Sequence, residues 1–223
     1  MQLPPASILD RATGNHDATT FNDTGRQLAG IFTPIVTGHC PPQPRVLDWG
    51  CGPGRVTTHL VSNGWQIDAC DIDTEAITWC AGHIGGAAFR VTGLEPPLPY
   101  EDAAFDAVIA CSVFTHLLAS AQLDWLAEIR RVLAPGGILA ASVHGQPAAD
   151  TYMPLLPDIL TDNGIFDGLT DTSMDGVAPP GYYRVTFQSQ EYTRREWGRY
   201  LPVTEYREAG LTPAHDLVIC QAG

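Results

Sequence analysis

The sequence predicts an α/β fold: a doubly wound, mostly parallel sheet with helices on both faces. Three observations carry this. Residues 46–54, Val-Leu-Asp-Trp-Gly-Cys-Gly-Pro-Gly, join an apolar strand to a loop with glycine at every second position. A second strand, from Gln66 to Asp71, also ends in an acid. Strands and helices then alternate to about residue 145, the order that builds parallel strand–helix–strand units.

The first strand spans Arg45 to Trp49, and a helix is expected from Arg55 to Asn63. Between them Gly50, Gly52 and Gly54 remove side chains where the backbone must turn sharply and lie close to a bound molecule. A dinucleotide loop, G-x-G-x-x-G, needs its third glycine where Arg55 stands. The pattern is instead D-x-G-x-G-x-G, stiffened by Pro53. At the tip of the second strand, Asp71 suits ribose hydroxyls, and Ile72 suits the flat face of an adenine. Asp73 or Thr74 caps a helix from Glu75 to Cys80. Ala87 to Thr92 forms a third strand, and a proline-rich loop leads into a fourth that ends at Ala110. Leu123, Leu126, Ala127 and Ile129 mark a helix from Ser120 to Leu133. Ala134-Pro135-Gly136-Gly137 stops it and turns into a fifth strand, Ile138 to Val143.

The glycine loop resembles motif I of the class I S-adenosylmethionine (SAM) dependent methyltransferases. The element order, with Leu133-Ala134-Pro135-Gly136-Gly137 before the fifth strand, is similar to that family over residues 45–145. A small bacterial-type subgroup is closer still. It carries Ser112-Val113-Phe114-Thr115-His116-Leu117 after strand four and His144-Gly145 after strand five. Thr13 to Asp17, Phe21 to Gly25, Gln190-Glu191-Tyr192 and Trp197 fit it too. The resemblance implies a Rossmann-like sheet of seven strands, five parallel and a C-terminal antiparallel hairpin. It implies SAM as cofactor and S-adenosylhomocysteine as product. Asp71 would hold the ribose, Asp48 would lie near the methionine part, and Leu94 and Glu95 near the adenine. Gly50, Cys51, Gly52, Gly54, Ile72, Cys111 and Ser112 complete the expected cofactor site.

The chain has 223 residues, 44% of them hydrophobic, ample for one core. We read one domain: residues 1–40 a helical cap, 45–145 the cofactor-binding core, 146–183 an inserted lid, and 184–223 the last strands and a helix. No run of about 18 apolar residues suggests a membrane span, and Met1 to Asp10 does not read as a secretory signal. A cytoplasmic protein with reduced thiols is expected, and no C-x-x-C pair points to a metal. Net charge is −13, and all twelve basic residues are arginine. The absence of lysine excludes Schiff-base chemistry, and so few clustered cations argue against nucleic acid. A neutral or cationic small acceptor suits the acidity. Nothing indicates an oligomeric state.

Ligands of open parallel sheets bind beyond the carboxyl ends of the strands. The insert from Gln146 to Tyr183 reaches that edge. Its Pro154, Pro157, Pro179 and Pro180, with Tyr152, Met153, Phe166 and Tyr182, read as a partly helical lid over the acceptor. Asp162, Asp167, Asp171 and Asp175 equally allow an acidic loop without structure. Beyond it, Arg184 to Gln188 alternates as a strand and Glu191 to Tyr200 as a helix. Val203 to Glu208 and Asp216 to Cys220 are the last two strands, turned by Gly210-Leu211-Thr212-Pro213. Phe21, Leu28, Ile31 and Phe32 space an amphipathic helix over the sheet. By resemblance the loop before it closes over SAM through Arg11, Gly14, His16 and Phe21; a plain packing helix reads as well.

A sulfonium methyl is already activated, so alignment of the acceptor supplies much of the rate. A hydroxyl or protonated amine also needs a base. His144 after strand five and His116 after strand four are the catalytic candidates, each with a bracing role as its alternative. His215 reads as structural. Tyr152, Tyr182 and Tyr183 are candidate acceptor contacts or lid packing. No Asp-Pro-Pro-Tyr or Asn-Pro-Pro-Tyr follows strand four, which argues against adenine or glutamine amide methylation. Three readings compete: a methyltransferase acting on oxygen or nitrogen of a sugar or specialised metabolite, a noncatalytic SAM-binding partner, and a nicotinamide oxidoreductase, against which Arg55 counts.

Overall fold

The first strand, β1 (Arg45–Trp49), takes an inner place in the sheet, buried from Val46 to Trp49. The computed structural model describes residues 3–13, 17–155 and 158–223. β2 (Gln66–Asp71) and β4 (Phe105–Ala110) flank β1 in parallel, with Asp48 level with Ala69 and Ile109. β3 (Ala87–Val91) lies outside β2, and β5 (Leu133–Val143) outside β4. β9 (His215–Gln221) pairs antiparallel with β5, and β8 (Val203–Thr212) closes the edge. The order β3-β2-β1-β4-β5-β9-β8 is the expected seven-stranded, doubly wound, Rossmann-like sheet, and it places the ends of β1 and β4 side by side.

Alternation along β1 sorts two cores. Val46 joins Leu28, Phe32 and Val36 of α2 (Ala18–His39) on one face. Leu47 and Trp49 join Trp125, Leu126 and Ile129 of α5 (Ala119–Val132) on the other. The spacing of Phe21, Leu28 and Phe32 thus packs α2, whose first turn Asp17 caps through Thr20 N at 2.7 Å. α1 (Ala6–Thr13) precedes it as a separate helix.

Three local expectations need correction, and a fourth is narrowed. The helix after the glycine loop is only α3 (Thr57–Leu60), followed by one tight turn to Asn63. Gly52 and Gly54 sit at φ +52° and +75°, a left-handed path on which no right-handed helix starts. The Ala134–Gly137 turn is absorbed into β5 as an irregularity opposite Phe105. β8 runs on through Gly210 to Thr212, so Pro213-Ala214 makes the turn. Asp73, rather than Thr74, caps α4 (Thr74–His83), accepting from Glu75 N and Ala76 N.

The insert is folded. It begins with α6 (Gln146–Tyr152), and β6 (Ile165–Thr170) then pairs antiparallel with β7 (Arg184–Gln188) in a small second sheet. Leu118 offers α5 no side-chain cap. Asp167 of β6 supplies one, accepting from Ala119 N at 2.9 Å. Thr186 of β7 donates to the Leu117 carbonyl beside it.

α7 (Gln190–Trp197) ends in the largest fully buried side chain. The Trp197 ring lies 4.4 Å from that of Phe114, and its Nε1 donates to Gln122 Oε1 at 3.1 Å. Trp197→Ala is expected to cost about 3–5 kcal/mol in urea unfolding, since a cavity and an orphaned amide oxygen are left together. A loss under about 1 kcal/mol would mean that α7 is not part of this core.

Candidate cofactor and acceptor site

A cavity of about 470 Å³ opens at the carboxyl ends of β1, β2 and β4. Its floor is the glycine loop, held from below by backbone bonds. Gly50 N and Cys51 N both donate to the Cys70 carbonyl. Gly52 N donates to Asp71 Oδ2 at 2.7 Å, and Asp73 N to Asp71 Oδ1 at 2.8 Å. One buried carboxylate therefore fixes both the loop and the turn after β2. Burial pushes the Asp71 carboxyl up, against the pull of those backbone donors. Asp48, deeper still, accepts from Thr57 Oγ1 at 2.5 Å, and burial raises it to about 6.

α1 closes one side. Arg11 donates to Asp73 Oδ2 at 2.9 Å and to Glu75 Oε2 at 2.8 Å, which ties the N-terminal helix to the start of α4. The other side is the loop after β4 under the insert. Ser112 there is at φ +61°, its N–H fixed on Ser142 Oγ at 2.7 Å. His116 follows, stacked on Tyr183 with ring centres 4.2 Å apart. Tyr182 donates to the Leu94 carbonyl, which latches the insert to the core.

Three histidines gather at this end. His215 Nε2 lies 3.1 Å from His144 Nε2, so one of the two rings donates to the other. Nδ1 of His144 has no well-aligned partner among the described residues. Burial is the first cause that holds His144 down to about 3 and His215 to about 4. It also lowers His116, against the Arg184 carbonyl and Asp171.

These shifts fix a pH dependence of stability. Above the ordinary histidine value of 6.5, His144 and His215 are neutral folded or unfolded, so they add no slope. Below it the unfolded chain gains protons that the folded chain refuses, and stability falls as pH drops toward 4. Asp48 opposes this, since its buried charge is neutralised as pH falls through about 6. From pH 7 to pH 5 we expect these three groups together to contribute a loss of about 2–3 kcal/mol, about 4 from His144 and His215 less about 1 from Asp48. Urea midpoints at the two pH values test it. A wild type with no slope, or a slope that His144→Phe leaves intact, contradicts the assignment.

Residues 47–141 match a family model described as a methyltransferase domain. An uncharacterised methyltransferase of Synechocystis is 32% identical over 132 residues, 59% of this chain and 58% of that relative. The chain spans about half the length, or less, of the curated relatives it matches. A protein of Pyrococcus horikoshii shares the fold at TM-score 0.65 and 18% identity, over 92% of this chain and 95% of that one. So does the 1,6-didemethyltoxoflavin-N1-methyltransferase of Burkholderia thailandensis, solved with its substrate and S-adenosylhomocysteine (TM-score 0.63, 16% identity, 100% and 92% covered). The chain thus carries a segment similar to a methyltransferase domain, on the fold shared by solved SAM-dependent methyltransferases.

SAM serves solved proteins of this fold, and the cavity here fits it. Its volume lies in the usual range for such ligands. Thr92 Oγ1 at the end of β3 is buried without a partner among the described residues, next to an acid whose remaining lone pairs suit ribose hydroxyls.

The cavity gathers many of the residues that the sequence singled out. Asp48, Gly50, Cys51, Gly52, Asp71 and Ile72 line the half over the glycine loop. Cys111, Ser112, His116, Tyr182 and Tyr183 line the rest, and Arg11 sits at the mouth. Five residues fall elsewhere. Gly54 backs onto Cys80 and Ile84, where a side chain would collide with Ile84 Cδ1 at 2.4 Å. Leu94 and Glu95 lie just past the wall, which Thr92 and Gly93 supply, because the Leu94 carbonyl is taken by Tyr182. His144 is behind His215, not on the cavity, and Tyr152 is 56% exposed on the far side of that ring. Phe21 is buried in α2 packing and also does not line the cavity, while Gly14 and His16 lie outside the described residues. The sequence reading missed Ile8, Trp125, Asp171, Met174 and His215 as lining residues. Of these only His215 carried a signal, a polar residue at the head of an apolar strand.

Proposed function

We propose that the protein transfers the methyl group of SAM to oxygen or nitrogen of a small molecule, a sugar or specialised metabolite. One observation carries this reading. The glycine loop with Asp71 and the group of His116, Tyr182 and Tyr183 line a single cavity, so cofactor and acceptor compartments meet under the insert. A binding-only partner has no need of a neutral base there. The Burkholderia neighbour, whose substrate is a small heterocycle, and a glycine/sarcosine/dimethylglycine N-methyltransferase of Actinopolyspora halophila support small acceptors.

Bound SAM supplies an electrophilic methyl carbon. The chain does the rest. The loop backbone and Asp71 hold the nucleoside, and the insert with Tyr182 and Tyr183 shields the acceptor from water. His116, kept neutral by burial, accepts the proton that the acceptor gives up. Arg55, standing where a dinucleotide loop needs its third glycine, continues to argue against a nicotinamide cofactor.

Calorimetric titration with SAM and S-adenosylhomocysteine tests the reading, followed by S-adenosylhomocysteine release against a library of small hydroxyl and amine acceptors. Micromolar binding of both and turnover of one acceptor class are expected. A folded sample that binds neither ends the proposal.

A further inference from the structure

We infer that Asp171, carried on the insert, is the positioning partner of His116, so that the base is complete only when the insert lies on the core. This rests on the reading of His116 as the base.

The geometry is built from two sides. From the core, the loop after β4 sets His116 Nε2 at 3.5 Å from Ser112 Oγ, another cavity-lining group. From the insert, the Arg184 carbonyl lies 2.9 Å from His116 Nδ1 and Asp171 Oδ2 lies 3.4 Å from the same atom. Two acceptors on one nitrogen require that Nδ1 carries the hydrogen. Nε2 then carries the lone pair, and it is the nitrogen beside Ser112, whose hydroxyl can donate to it weakly. Tyr183 stacks on the ring and fixes its plane.

Asp171 is not a loose surface acid that happens to point inward. Its Oδ1 accepts from Ser173 N at 2.8 Å, and its own N–H donates to the Tyr183 carbonyl at 2.9 Å. The first bond turns Oδ2 toward His116, and the second ties the residue to the chain that holds Tyr183. Among the described charged and titratable groups around His116, Asp171 is the one that favours a cation there. The nearby His144 and His215 are neutral, and Tyr183 is a phenol kept protonated by burial.

The step balances. The acceptor's lone pair forms the bond to the methyl carbon as the carbon–sulfur bond breaks and its electron pair returns to sulfur. The acceptor's proton passes to His116 Nε2. The imidazolium so formed donates from Nδ1 to the Arg184 carbonyl and faces the Asp171 carboxylate, whose charge offsets its own.

The test needs no acceptor. Histidine-labelled protein with S-adenosylhomocysteine is titrated by nitrogen NMR as wild type, Asp171→Asn and Asp171→Glu. Asn keeps a carbonyl oxygen for Ser173 N, so the turn survives. We expect the Nδ1–H form of His116 in the wild type, a pKa lowered by about one unit or more in Asp171→Asn, and recovery in Asp171→Glu. A His116 titration indifferent to Asp171→Asn, no recovery in Asp171→Glu, or the Nε2–H form in the wild type, overturns the inference. Calorimetry on the same samples keeps the failures apart. Loss of S-adenosylhomocysteine binding in the wild type sinks the methyltransferase reading, and an unresponsive His116 sinks only this one.

Discussion

Gly52→Val is expected to weaken S-adenosylhomocysteine binding by at least about 100-fold, or about 2.7 kcal/mol, while leaving a folded protein. Two effects act together. Gly52 stands at φ +52°, where a β-branched side chain costs about 1–2 kcal/mol, enough to move the loop. Its N–H is one of the two backbone donors on Asp71, so moving it also disturbs the acid proposed to hold the ribose. The sheet beneath is anchored separately, through Gly50 N and Cys51 N on the Cys70 carbonyl, which is why the fold should survive. Calorimetry and circular dichroism on one sample decide it. Tight binding by the folded variant would show that the loop is not the site.

His116→Ala is expected to lower turnover by about 10²–10⁴-fold, the range of a lost general base, with SAM affinity changed only a few-fold. His144→Ala is expected to do much less to turnover. His144 does not line the cavity and is hydrogen-bonded to His215, so its removal takes away the partner of that ring and acts on stability. The comparison is made on single-turnover rates with a saturating acceptor, so that binding and chemistry separate. Equal losses in the two variants would return His144 to the candidates, and an active His116→Ala would remove His116.

The sheet was legible because periodicity and punctuation are local properties. Val46 and Leu47 alternate between two faces, Asp73 caps a helix two residues after a strand, and such signals survive without knowledge of partners. The part of the cavity proposed for the cofactor was legible for the same reason, since the glycine loop and Asp71 sit at the ends of neighbouring strands. The acceptor half was not. Asp171 and His116 are 55 positions apart in sequence, and what joins them is the pairing of β6 with β7, whose short alternating runs are broken by an irregularity at Phe166. His144 and His215 were ranked in the wrong order with respect to the cavity because both follow or open a strand. Only the antiparallel register, which sets Val143 against Asp216, shows which ring stands in front.

The cap that Asp167 lends to α5 gives the insert a second meaning. A swinging cover usually leaves the body beneath it untouched. Here, lifting the β6–β7 hairpin strips the first turn of α5 of an acceptor that its own sequence does not replace. In the proposed lid role, entry and exit of small molecules would be coupled to fraying of a core helix. The ease with which that one turn melts would then be a clock for how often the site exchanges its contents.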